Sequence, residues 1–323
     1  MQKFPSSFPI RKLPIILSLT FAMLPTACSS PTKGQLPEPN EREEPPHQHL
    51  GYHEETQTDG SLTLRPATVP PITDSQVSMR VDGEWRILES NSISEHNTGE
   101  FPNDGNPNSI SEQPHTLSVP ANPQLASRIT DGGWTFGLAV NGVPFDPGNN
   151  EAYHGDRRWR YDALSGALDM GFDENHAHVQ PTGTYHYHGL PTLLLSDLGL
   201  SAQKHSPLVG WAADGFPIYA LYGYKNGDKA SSEITEMTSS YQLKSGDRPG
   251  GDEPDGQYDG TFVRDYEYVA GKGTLDECNG RMTVTPDFPD GTYAYFLTSD
   301  FPIVPRCFKG TPSQDFAKGR PPQ

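Results

Sequence analysis

Residues 173–189 read Asp173-Glu-Asn-His176-Ala-His178-Val-Gln-Pro181-Thr-Gly183-Thr-Tyr185-His186-Tyr187-His188-Gly189. Two H-x-H pairs flank a Pro-Thr-Gly turn signal. In a strand, side chains at i and i+2 share a face. Each pair then presents two imidazoles side by side. If the two arms pair as a hairpin, four rings meet on one face. Tyr185 and Tyr187 take the opposite face, toward the core.

The same pattern extends outward from this stretch. From about Val77, short β-like runs alternate with turn clusters. They are Val77–Val81, Glu84–Leu88, Trp134–Val140, Thr184–His188, Leu208–Ala212, Thr261–Val269 and Thr292–Thr298. Only Leu193–Gln203 has the character of a short helix. Gly and Pro contribute 32 residues each to a chain of 323, a density that excludes a helical bundle or coiled coil. The fold expected is mostly β: one loop-rich, β-sandwich or barrel-like domain with little helix. Trp134, Trp159 and Trp211 read as core anchors.

The formal charge is −17, so phosphate backbones are repelled and nucleic-acid binding is excluded. There is no G-x-S-x-G, phosphate loop, H-E-x-x-H or C-x-x-C, which removes the common hydrolase, nucleotide, zincin and thiol-redox signatures. The acidic stretch Asp247–Asp259 does not have EF-hand spacing and reads as a solvated turn.

The first 27 residues read as a lipoprotein-type export signal. Lys3, Arg11 and Lys12 precede an apolar run, Leu13–Met23, that is too short to cross a bilayer. Leu24-Pro-Thr-Ala-Cys28-Ser-Ser resembles a lipobox, with Pro25 where Leu is usual. Lipidation of Cys28 is expected to place the chain at the periplasmic or outer-membrane surface, with the lipid as its sole membrane contact. Ordinary secretion follows if that signal is not used. Residues 28–75 are rich in Pro, Glu, Thr and Gln and read as a disordered tether. Its His47, His49 and His53 read as linker residues. The domain is expected over 76–312 and a tail over 313–323. Export leaves Cys278 and Cys307 in an oxidising compartment, which points to one disulfide; two buried free thiols are the alternative.

Four neutral imidazoles without a thiolate suit a borderline cation: copper(II), zinc or nickel. The candidate ligands are His176, His178, His186 and His188. Asp169, Asp173 and Glu174 are candidates to orient the rings. His154 and His96 lie in Asn/Gly-rich loops and are further candidates. So is Asp214, an acid in the apolar run Trp211-Ala-Ala-Asp-Gly-Phe-Pro-Ile-Tyr219, which is also the first candidate for a catalytic proton-transfer group. The bland alternative for Asp214 is a turn-forming Asp-Gly.

Tyr185-His186-Tyr187-His188 is similar to the motif of the YHYH-domain family of exported proteins. Further blocks carry the resemblance in order: Asn91–Gly99 with Phe101–Asn103 and Asn106–Asn108, Asn141–Pro147, Ala177–Gly183, Asp214–Tyr219, Leu275–Arg281 and Pro305–Cys307. They span about residues 76–310. The resemblance implies one domain and fits pairing of Cys278 with Cys307; it implies no activity. The leading reading is a lipid-anchored, extracytoplasmic metal-binding protein for copper or zinc. The alternatives are a metalloenzyme, hydrolase or oxidoreductase, at the same centre, and an adhesion or scaffold domain whose histidines are structural.

Overall fold

The computed structural model describes residues 61–318. The expected export signal, Cys28 and the His47, His49 and His53 tract lie outside them. The described chain is mostly β, and its α-helix is the short Thr192–Asp197, which starts one residue before the expected Leu193–Gln203 run and covers only its first part.

The main sheet has eight strands. Their order across it is Gly280–Thr283, Thr292–Leu297, Pro217–Ala220, Gly210–Ala212, Gly137–Ala139, Pro144–Phe145, Tyr185–Tyr187 and Ala177–Val179. The sheet stays open rather than closing into a barrel. Its central strands carry near-continuous apolar runs, such as Pro217-Ile-Tyr-Ala220 and Tyr293-Ala-Tyr-Phe-Leu297, and are buried throughout. That is the pattern of strands covered on both faces. A three-stranded meander, Val77–Asp82, Trp85–Ser90 and His115–Pro120, contributes Leu88 and Val119 to the same core as Leu138, Phe145 and Tyr187. Gly83, at φ +60, turns the first hairpin at its expected place.

Trp159 and Trp211 are buried as expected, and Trp134 is half-buried against the core. Cys278 and Cys307 form a disulfide, with Cα atoms 5.1 Å apart. The bond ties the start of the Gly280–Thr283 edge strand to the C-terminal segment. The acidic stretch is not merely solvated. Arg248 reaches Asp265 at 2.6 and 3.0 Å and also pairs with Asp259.

Packing begins earlier in the chain, and ends later, than composition indicates. Residues 61–75 were expected to be tether. Leu62 and Leu64 instead pack on Ala163, Met170 and Phe172, and the Arg65 amide donates to the Phe172 carbonyl at 2.9 Å. Leu62, Leu64, Ala67, Val69 and Ile72 are too scattered a signal to stand out in a Pro/Thr-rich run. At the other end, Phe316 is buried and the Ser313 amide bonds the Ala213 carbonyl at 2.8 Å. The expected tail is thus part of the core as far as the described residues run.

Candidate metal centre

The two H-x-H arms form a hairpin at one edge of the main sheet. Ala177–Val179 pairs antiparallel with Tyr185–Tyr187, in a register that sets His178 opposite His186. Gly183, at φ +93, closes the connection, and a Cβ there would meet Ser111 Oγ at 1.9 Å. The exposed side of the edge strand is covered. Asn106 and Asn108 both donate to the Val179 carbonyl, at 3.0 and 2.9 Å, so the edge offers no free template there.

His178 and His186 share a face because they are cross-strand partners. His188 joins them because it lies two residues beyond His186. The His188 Nε2 lies 2.8 Å from that of His186 and 3.1 Å from that of His178. Three nitrogens bound tetrahedrally at about 2.0–2.1 Å to one ion stand about 3.3 Å apart, close to these spacings. All three residues are buried, and among the described residues they form the group of potential metal ligands.

The tautomers follow from the second nitrogens. His178 Nδ1 lies 2.9 Å from the Met170 carbonyl and His186 Nδ1 3.1 Å from the Thr184 carbonyl. A carbonyl only accepts, so both Nδ1 atoms carry hydrogen. In neutral rings their Nε2 lone pairs are then bare and aimed at the common point. His188 Nδ1 is buried and has no partner. Burial holds the rings neutral. It pulls His178 down to about 3, with His186 adding repulsion, and His186 to about 4. His188 lies well below its ordinary value, first by burial and then by its two neighbours. Phe172 stacks on His178 with centroids 4.6 Å apart and stands edge-on to His188.

His176 does not join the cluster. It precedes the strand with φ +51, a left-handed conformation that breaks the two-residue alternation. Its ring turns instead to the Leu190 carbonyl, at 2.9 Å. His154 is exposed on the 3-10 turn Tyr153–Gly155 and stacks on Tyr153. Asp214 is buried as an anchor. It accepts from the Tyr295 hydroxyl at 2.6 Å and the Gly310 amide at 2.9 Å, and its carboxyl is pushed up by burial. The expected carboxylate orienters serve elsewhere. Asp169 pairs with Arg65, Glu174 accepts from the Ala67 amide, and Asp173 accepts from Tyr185 at 2.6 Å. Backbone carbonyls orient the rings in their place.

On the opposite face, the Tyr187 hydroxyl donates to His96 Nε2, and Asn141 donates to the same hydroxyl at 2.8 Å. His96 Nδ1 lies 2.8 Å from the Asn97 carbonyl. Both nitrogens of His96 are engaged, so this residue supports the hairpin from behind. A cavity of about 500 Å³ touches His188. Its walls come from sequence-distant segments near residues 162, 260 and 300, which no local pattern connects.

Fold and site together define a class: a mostly-β domain that buries three imidazoles at the edge of its main sheet. The chain belongs to the YHYH protein family, whose profile matches residues 116–310. The Tyr–His strand lies within that match, whereas His96 precedes it. No curated protein and no solved structure matches the chain.

Proposed function

We propose that this chain is an extracytoplasmic metal-binding protein in which the Nε2 atoms of His178, His186 and His188 hold copper or zinc. The observation that carries the reading is the convergence of three buried, neutral imidazoles, two with their protons fixed on the far nitrogen. Left empty, the bare Nε2 atoms of His178 and His186 have at most one Nε2–H, from His188, to share between them; a cation bonds all three nitrogens. Nitrogen donors without oxygen or thiolate favour a borderline ion over calcium.

A second reading is a metalloenzyme at the same centre. It is supported by three protein ligands rather than four, with a cavity against one of them. Three ligands leave a coordination position open, as catalytic sites do. Asp214 plays no part in this reading, since its carboxylate is committed to Tyr295 and Gly310.

Metal analysis of untagged protein tests the proposal. One equivalent of copper or zinc per chain, lost in His186→Ala, supports it. A metal-free chain that binds neither ion on titration overturns it. Export and lipidation at Cys28 belong to the same proposal. Among the described residues no helix is long and apolar enough to cross a membrane. Wild type in the membrane fraction and Cys28→Ala in the soluble fraction support the anchor; equal partitioning overturns it.

A further inference from the structure

The cavity beside His188 has a wall chemistry of its own. Asp162, Asp259 and Asp300 contribute carboxylates, and Arg306 contributes the guanidinium. Most of these charges are already compensated. Arg306 bonds Asp162 at 2.6 Å, and Asp259 pairs with Arg248 just outside the cavity. Only the carboxylate of Asp300, on the exposed rim, has no cation partner among these. The walls therefore call for neither an anion nor a strong cation.

They do call for hydrogen bonds of both senses. Two buried nitrogens on residues of this cavity have no partner: Nε of Arg306 and Nδ1 of His188, the latter residue only 4% exposed. Tyr266 adds a hydroxyl that donates or accepts, whereas Ser165, Ser299 and Thr261 have already given their protons to the Asp162 carbonyl, Glu236 and Asp259 and offer acceptor oxygens. The carboxylates accept. One wall is apolar, from Leu164, Phe301 and Ile303, and it is stiff. Phe301 is held between the Tyr266 ring, stacked at 3.8 Å, and the Arg306 guanidinium at 4.9 Å. A volume of about 500 Å³ is that of a small-molecule site.

We infer that this cavity binds a neutral polyhydroxylated molecule of sugar size, with its hydroxyls on the mixed donors and acceptors and its C–H face on the Leu164–Ile303 side. An anion is disfavoured because Asp162 and Asp259 already take the nearby guanidinium groups and Asp300 adds an uncompensated negative charge. An apolar ligand leaves Nε of Arg306 without a partner. The inference deepens the metal-centre proposal by naming what sits beside it, but the binding itself is read without metal.

Calorimetry on the full, metal-free chain tests it, with methyl α-glucoside, methyl α-mannoside and maltose as probes and acetate and inorganic phosphate as counter-probes. The expected result is saturable one-to-one binding of at least one sugar and none of the anions. Arg306→Leu should weaken that binding about tenfold. Ile303→Trp, which fills the space, should abolish it while leaving metal stoichiometry at the wild-type value. That last readout also shows the variant is folded. No binding of any of the three sugars, binding of an anion instead, or sugar binding that survives Ile303→Trp overturns the inference. A chain that binds sugar but no metal sinks the metal reading alone.

Discussion

Tyr187 and His96 are joined through the Tyr187 hydroxyl and His96 Nε2, 2.6 Å apart, on the face of the hairpin that points away from the three-histidine cluster. The alternation of the strand thus divides the labour. Tyrosines hold the hairpin to the body of the domain, and histidines face the site. Asp173 serves Tyr185 as His96 serves Tyr187. Removing the Tyr187 hydroxyl leaves His96 Nε2 and Asn141 Nδ2 buried with a partner lost. Tyr187→Phe is therefore expected to cost about 1–3 kcal/mol in urea unfolding. Metal stoichiometry should remain at the wild-type value. Loss of metal at unchanged stability would mean the tyrosine belongs to the centre itself.

The ligand set gives a sharper contrast. His178, His186 and His188 converge through Nε2, while His176 faces the Leu190 carbonyl and His154 lies exposed on Tyr153. Alanine at any of the first three is expected to remove stoichiometric copper or zinc binding. Alanine at His176 or His154 should leave it intact. His47→Ala with His49→Ala should leave it intact as well. Copper(II) spectra of the variants check this directly, because each lost nitrogen changes the hyperfine pattern. A spectrum that changes in His176→Ala and not in His178→Ala would reassign the centre.

The hairpin, its turn and the inward histidines were legible in residues 177–188 because a period of two and a Gly at positive φ are local signals. His176 was not. Its backbone turns left-handed one residue before the strand, and Gly189, 13 positions on, leaves the room its side chain takes: a methyl added there would sit 2.9 Å from the His176 Cβ. Asp214 looked reactive because a carboxylate in an apolar run needs a partner. The partner is Tyr295, a strand residue 81 positions away. The cavity beside His188 has the same character: Asp162, Gly260 and Phe301 meet only in three dimensions. Periodicity reports which face a side chain takes; it does not report what the rest of the chain brings to that face.

The disulfide links residues 29 apart and is buried at both ends. On the chain-entropy account a loop of that length is worth about 3–4 kcal/mol. The double change Cys278→Ser, Cys307→Ser is expected to lower unfolding free energy by about that amount. Arg306 adjoins Cys307 and lines the cavity, so cavity binding should weaken with it. The three histidines are held by their own hairpin and its backbone carbonyls, so their metal binding should persist at pH 7. Denaturant unfolding with and without reductant measures the first. Equal stability in both states would show that the bond contributes nothing to the fold.

Acid supplies the remaining test, and its sign follows from the buried rings. In the unfolded chain each histidine takes a proton near pH 6.5. In the folded, metal-free protein His186 waits until about 4 and His178 until about 3, chiefly because burial penalises the charged ring, and His188 also lies well below its ordinary value. Between those limits the unfolded state holds protons that the folded state does not. Stability therefore falls as pH falls through that window, by about 1.4 kcal/mol per pH unit for each ring. Asp162, Asp173 and Asp214 act the other way, since burial pushes their carboxyls up. Their folded forms take protons first and gain stability on acidification. Comparing wild type with His186→Phe removes that common contribution. Between pH 6.5 and 4.5 the wild type should lose about 2 kcal/mol more than the variant. Parallel curves would mean that the His186 ring is charged in the folded state, and a charged ring has no lone pair to offer an ion.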